Sequence, residues 1–429
     1  MWKKLLTPTL IITLVSLFAL TWYCSIKAEE YFSLWVERSN HYAPAMTTNE
    51  LVSYDRRFFT ASAITRVDIK NLGRYDFDHL IRHYAWGGTI ITTPRPVADA
   101  PLSLAGLRIV TDVGPTGTAR SRLSLPQLTV ESDFGTKLVI DRIAGEAQVN
   151  AAATEGSWDI SLEQIQVADD EDNRLIIAGI NSSGALENLD HFPLGHSRTR
   201  INSLALTTAD GRPFVINALT IDGTNFFDPA QHYVTRSDIS SASIQMGDNS
   251  AFTNSRLILA LNNLDTPVIE ALTTARSKLR RHFDTAAAID DGLIEEIIQP
   301  VYHALLRSGA TLALENLALS TSGGQLSGTG RATLKPGVSE KEISELLQQI
   351  DAELQLDFDV VILARINQLV EQTQGKSTNT RVKEEELRMI FGGLVQLGFL
   401  TRLEGDRFRL RVAYDSGKIK LNDQPLRLF

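Results

Sequence analysis

The chain has 429 residues, 43% of them hydrophobic and 22% charged, with a net charge of −9. That balance excludes a disordered chain and leaves enough apolar residues for one or two cores. The acidic excess argues against a nucleic-acid partner, because a phosphate backbone calls for a basic surface. The single cysteine, Cys24, excludes an intrachain disulfide and a cysteine metal cage.

The first element is a run without charge from Leu5 to Ile26, about 22 positions, which matches the roughly 20 residues of a helix that crosses hydrocarbon. Leu5, Leu10, Leu14 and Phe18 would sit in lipid, with Trp22 and Tyr23 at the level where amphipathic rings settle. Lys3 and Lys4 precede the run, whereas Lys27 is followed by Glu29 and Glu30. The basic excess keeps residues 1–4 cytoplasmic and sends the body across an inner membrane into the periplasm. Bulky Trp22 and Tyr23 before Cys24 speak against both a signal-peptide cut and a lipidated cysteine.

Residues 27–46 read as a short helical or irregular neck ended by Pro44. From 47 to 373 an exported body follows, β-rich until about residue 264, where apolar and polar residues alternate in steps of two. A loose hairpin repeat recurs: Trp158–Val167, the turn Asp169–Asn173 and Leu175–Ile177; Ile201–Leu206, the turn Ala209–Arg212 and Phe214–Ile216; Leu312–Leu319, the turn Ser322–Gly324 and Leu326 onward. Asp-Gly and Gly-Gly tolerate the positive φ of tight hairpins, so turn chemistry and period agree.

Helical spacing enters between Pro267 and Arg307, with a break near Asp290-Asp291-Gly292. Further helices are expected at Ser339–Gln349 and Val361–Gln372, with a strand at Ala352–Phe358 between them. After the linker Gln374–Asn379, residues 380–429 form a helix, from Val382 to Leu397, and a β-hairpin. The fold class is therefore α+β and predominantly antiparallel β. It comprises an N-terminal transmembrane helix, a long meandering sheet of repeated hairpins, helices on one face or end, and a small C-terminal helix-plus-hairpin unit.

The ending Leu397-Gly398-Phe399-Leu400, then Arg407–Tyr414, Asp415-Ser416-Gly417-Lys418 and Leu421-Asn422-Asp423, resembles the close of the YdgA-like family of bacterial envelope proteins. The segment Tyr54–Ala63, with Arg57-Phe58-Phe59, resembles that family's aromatic strand after the neck. Where family members often carry His-Gly-Pro, this chain has His83-Tyr84-Ala85-Trp86-Gly87-Gly88. The resemblance implies an anchored, β-rich envelope protein and names no reaction.

Chemistry is sparse. His79 and His83, with Asp76 and Asp78 nearby, have ligand-like spacing on a helix but lack the adjacent glutamate of a metalloprotease, so they read as a solvated helix turn. Asp169–Asn173 lacks the Gly and distal Glu of a calcium loop and reads as a hairpin tip. Arg276, Lys278, Arg280 and Arg281 are candidate anion contacts, against the plainer reading of a wet helix face. No catalytic residue, metal or cofactor is assigned. The expected function is non-enzymatic: an anchored periplasmic protein that binds lipid or another apolar ligand along its sheet. The alternatives are a structural or assembly protein acting through a homodimer or another envelope protein, and a hydrolase without a recognisable motif.

Overall fold

The computed structural model describes the chain except residues 1, 43–46, 70–72, 96–101, 132–134, 171–172, 189–191, 209–212, 247–248, 285–290, 336–348, 374–379, 416 and 427–429. Two compact units divide it: residues 1–171, 178–193 and 280–287 in the first, residues 172–177, 194–279 and 288–429 in the second.

The first unit opens with a helix, α1 (Trp2–Tyr42). The expected neck is thus helical up to Tyr42, with no break after the apolar run, and residues 43–46, where Pro44 was to end it, lie outside the described residues. Side chains of α1 are described for residues 16–37, 39 and 40, and among the described residues no helix is long and apolar enough to cross a membrane. Leu5, Leu10 and Leu14 lie on α1 with their side chains outside that description.

Strands follow as β1 (Thr47–Arg56), β2 (Thr60–Ile69), β3 (Gly73–Tyr84), β4 (Gly87–Pro94), β5 (Leu102–Ser103), β6 (Arg108–Val113), β7 (Ala119–Glu131), β8 (Lys137–Val149), β9 (Glu155–Ala168) and β10 (Arg174–Glu187). They pair antiparallel in the order β1-β2-β3-β4-β6-β7-β8-β9, with β5 on β7. His79 and His83 lie on β3, so their helical reading is corrected: spacing by four also places two residues on one face of a strand. Both are buried, not solvated.

The second unit continues with β11 (Leu194–Thr207), β12 (Pro213–Phe227), β13 (Tyr233–Met246), β14 (Asn249–Leu264), α2 (Thr266–Asp284), α3 (Asp291–Ser308), β15 (Thr311–Thr321), β16 (Gly324–Leu334), β17 (Ile350–Asp359), α4 (Val360–Thr373), α5 (Thr380–Gln396), β18 (Thr401–Arg402), β19 (Arg407–Asp415), β20 (Lys418–Leu421) and β21 (Gln424–Leu426). The break between α2 and α3 falls where the acidic Gly-containing turn predicts it, while the helix expected at 339–349 lies almost entirely outside the described residues. Antiparallel pairing runs β11 through β17 and then β17-β19-β20-β21, so the tail strand β19 extends the sheet.

This unit's main core holds Phe252, Leu326, Phe358, Val360, Ile362, Phe391, Leu400 and Phe408, joining sheet, α4, α5 and the tail. The closing sequence has a local physical reason. Gly398 ends α5 at φ 76°, with its N–H donating to the carbonyl of Val395 and that of Phe399 donating to Leu394, a glycine C-cap. Asn422, at φ 45°, donates through Nδ2 to the carbonyls of Phe399 and Arg409 and accepts the N–H of Arg411.

Candidate functional site

One stripe of α1, formed by Thr21, Ser25, Phe32 and Val36, is buried against the sheet at steps of four and seven. Phe32 and Val36 pack with Ala61, Ala63 and Ile81, flanked by Leu51, Tyr54 and Ile90. Burial pushes the Tyr54 phenol up to about 12. Small Thr21 and Ser25 let the helix approach closely. The Thr21 hydroxyl donates to the Leu17 carbonyl, and that of Ser25 donates to the carbonyl of Arg57 in the β1–β2 turn at 3.3 Å.

The Arg57 carbonyl also accepts from His83 Nε2 at 3.2 Å, which places the proton on that nitrogen. The His83 N–H donates to the Phe59 carbonyl. Helix, first turn and β3 are thereby tied at one level. Around that knot Phe18 and Trp22 contact the Phe58 ring, Phe18 also meets Phe59, and the Arg56 guanidinium lies 5.6 Å from the centre of the Trp22 ring. Phe18, Trp22 and Tyr23 are each about half exposed. At the far end the Asn40 side chain brackets the Asn49 backbone, donating from Nδ2 to its carbonyl and accepting its N–H at Oδ1, and so fixes α1 antiparallel to β1.

Beyond the helix this face of the sheet is mixed, with Thr92 and the hydrogen-bonded Thr111 and Ser121 next to apolar residues, and it becomes mainly apolar on β8 and β9. A row of paired residues runs Ile81, Ile90, Thr111, Ser121, Ala147, Trp158, and the next runs His79, Thr92, Ile109, Leu123, Gly145, Ile160. Farther along β7, β8 and β9 the pairing omits Pro126, Arg142 and Glu163, and Arg142 is left-handed at φ 38°. The offset is the same on both sides of this line, so the strands do not slip, and the left-handed backbone at Arg142 interrupts the side-chain alternation there. The apolar spacing therefore changes from two to three at that line: Leu125 and Leu128, Ile140 and Ile143, Leu162 and Ile165 stay on one side. The opposite side carries Arg120, Arg122, Gln127, Asp141, Glu146 and Asp159.

In the second unit the register omits Asn202, Ala218, Ala242 and Asn254 in the same way, with Ala218 at φ 51° and Asn254 at φ 50°. Ile201 with Leu204, Ile216 with Leu219, and Ser241 with Ile244 then share an apolar face. Cross-strand ion pairs occupy the other: Arg66–Asp76 and Arg120–Glu146 in the first unit, Arg198–Asp222 and Arg256–Asp238 in the second. Arg66, Arg120 and Arg256 hold the carboxyls of Asp76, Glu146 and Asp238 below the usual carboxylate range, chiefly through these hydrogen bonds.

No side chain of β8, β9, β11 or β12 is buried, although most are half-covered. The helices pack elsewhere, α1 on β1 and β3, α3 on β14 and β16, and α4 on β16 and β17. Among the described residues the apolar face of β8 and β9 is thus only half-covered, while Leu125 of β7 is buried and β4 and β6 stand between β7 and the strand that α1 covers. The sequence carried this signal in its two-three-two apolar spacing, which a strict alternation reading passes over.

Among the cationic candidates, Lys278 pairs with Glu296 of α3 at 2.7 Å and holds that carboxyl low, so it is an interhelix pair. The side chains of Arg276, Arg280 and Arg281 lie outside the described residues. Among the described residues there is no group of three or more His, Cys, Asp or Glu with metal-binding geometry. His79 is enclosed by Thr65 Oγ1 at 2.7 Å from Nε2 and Thr92 Oγ1 at 2.8 Å from Nδ1. The turn Asp169–Asn173 includes residues 171–172, outside the described set.

Residues 97–429 match the model of a family described as bacterial protein of unknown function (DUF945). No curated protein and no solved structure matches the chain.

Proposed function

Because the chain belongs to the DUF945 family of bacterial proteins, we propose its role from its surfaces: a membrane-anchored envelope protein, of YdgA-like type, whose sheet binds the acyl chains of lipid. Residues Leu5 to Ile26 of α1 cross the inner membrane, Lys3 and Lys4 stay cytoplasmic, and the sheet stands in the periplasm. The observation that supports lipid binding is the half-covered apolar face of β8 and β9, which keeps its chemistry across the Arg142–Glu163 line by a change of apolar spacing from two to three.

A sheet with one uncovered apolar face exposes surface that water does not favour, at roughly 25 cal/mol for each Å². An acyl chain laid along it removes that exposure without specific hydrogen bonds. Alternation supplies the internal control, since Ile160 and Asp159 are neighbours in sequence and point to opposite faces. A benzophenone amino acid is placed at either position in the full chain, which is then irradiated in cells and analysed for lipid adducts by mass spectrometry. Adducts at 160 and not at 159 are expected; equal yields, or none at 160, overturn the reading.

A further inference from the structure

We propose that the β1–β2 and β3–β4 turns, carrying Phe58, Phe59, Tyr84 and Trp86, rest in the interfacial layer of a phospholipid bilayer beside α1. The inference rests on reading α1 as the anchor. Trp86 is 66% exposed and Phe59 55%, and Tyr84 stacks on Trp86 with ring centres 6.1 Å apart. Large rings at the tips of two neighbouring turns serve no core. They are an exposed apolar patch of the kind that marks a contact surface.

Their height relative to the apolar run is fixed by geometry. α1 lies antiparallel to β1 between the Asn40–Asn49 clamp and the Phe18–Phe58 contact. The 22 helical residues between Phe18 and Asn40 rise about 33 Å, and the nine strand residues between Asn49 and Phe58 span about 30 Å. The tips therefore stand level with Phe18 to Trp22, the last turns of the apolar run. The bonds from Ser25 and His83 to the Arg57 carbonyl, and from His83 to Phe59, lock both turns to the helix at that level.

The composition suits a headgroup layer and not the hydrocarbon centre. Tryptophan and tyrosine favour the interface because the ring is apolar and its N–H or O–H stays wet. Arg57 and Arg82 are exposed beside the rings and reach phosphate, while Arg57 is only loosely held by Asp55 at 3.5 Å. Three contacts, one helix and two turns, set the direction of the sheet.

The test uses the full chain in lipid nanodiscs, in three versions that each keep one tryptophan and carry Trp→Phe elsewhere, including at Trp158. Fluorescence is read with phospholipid brominated near the headgroup end of its chains. Trp35 is the control, because it is exposed on the same helix 13 residues beyond Trp22, about 20 Å farther along. Trp22 and Trp86 are expected to be quenched at least twofold and Trp35 little. Quenching of Trp22 with Trp86 as unaffected as Trp35 overturns the proposal and leaves the anchor standing. If Trp22 also escapes quenching, the anchor reading falls with it. Trp86→Ser with Phe59→Ser in the otherwise native chain provides the second readout. Faster protease cleavage in 84–87 in nanodiscs than in the native chain is expected, and an unchanged rate overturns the proposal.

Discussion

Phe32 of α1 stands edge-on to the ring of His79 on β3, their centres 5.1 Å apart, and so closes a buried imidazole under the helix. His79 is 3% exposed and its two ring nitrogens meet only threonine hydroxyls. Burial lowers its pKa from the ordinary 6.5 to about 4, with nearby Asp78 acting in the opposite direction.

Stability should therefore depend on pH through this residue. In the folded chain His79 stays neutral down to about 4, whereas in the unfolded chain it takes a proton below about 6.5. The unfolded state binds more protons in that window, so the contribution is complete above 6.5 and is lost as pH falls towards 4. A shift of this size corresponds to about 3 kcal/mol at most. Urea midpoints at pH 7.5 and pH 4.5 should differ less in His79→Gln than in the native chain; equal pH sensitivity would show that carboxylates alone set the acid limit.

Phe32→Ala removes the largest buried side chain that joins α1 to the sheet, in a cluster with Ala61, Ala63 and Ile81. The loss should be about 3–5 kcal/mol, as for other buried Phe truncations. Hydrogen exchange should show amides of β1 and β3 opening before those of β14 and β15. Uniform acceleration across both units would mean that α1 is not the local clamp.

How much of this was legible beforehand depends on which force decided each feature. The strands of β8, β9, β11 and β12, the α2–α3 break and the closing helix and hairpin follow from local alternation and turn chemistry, and the sequence reading places them. Whether the neck was helical or irregular stayed open, because the contacts that hold it come from residues more than 20 positions distant, such as Arg56 with Glu29. His79 and His83 misled because a spacing of four suits a helix face and a strand face equally. The half-covered face of β8 and β9 was invisible as a site, since it arises from pairing strands in register. Its trace, an apolar spacing of three at Arg142, acquires meaning only when the neighbouring strands leave the same line unpaired.

Asn422 offers a sharper test of the closing hairpin. Its Nδ2 donates to two carbonyls and its Oδ1 accepts one N–H. Asn422→Ala should cost about 2–3 kcal/mol, given about 1 kcal/mol for each net bond. Asn422→Asp should be at least as harmful, because a carboxylate has no proton to donate and would face the carbonyls of Phe399 and Arg409. Thermal unfolding of the two variants ranks them, and an Asp variant of native stability would remove the donor role.

Ala218 bears on whether the phase shift is a built feature. It sits at φ 51°, opposite the unpaired Asn202, where a Cβ costs roughly 1–2 kcal/mol. Glycine has no such penalty but loses more backbone freedom on folding, roughly 0.5–1 kcal/mol. Ala218→Gly should thus be neutral to stabilising by about 1 kcal/mol, an unusual sign for alanine to glycine within a strand. Ala218→Val, with a branch at Cβ, should instead destabilise by more than about 1 kcal/mol, because β-branched residues resist positive φ. Urea unfolding with an unchanged slope measures both. If glycine destabilises as it does in a regular strand, the left-handed backbone at 218 is wrong. The apolar pairs Ile216 with Leu219 and Ile201 with Leu204 would then fall on opposite faces of the sheet.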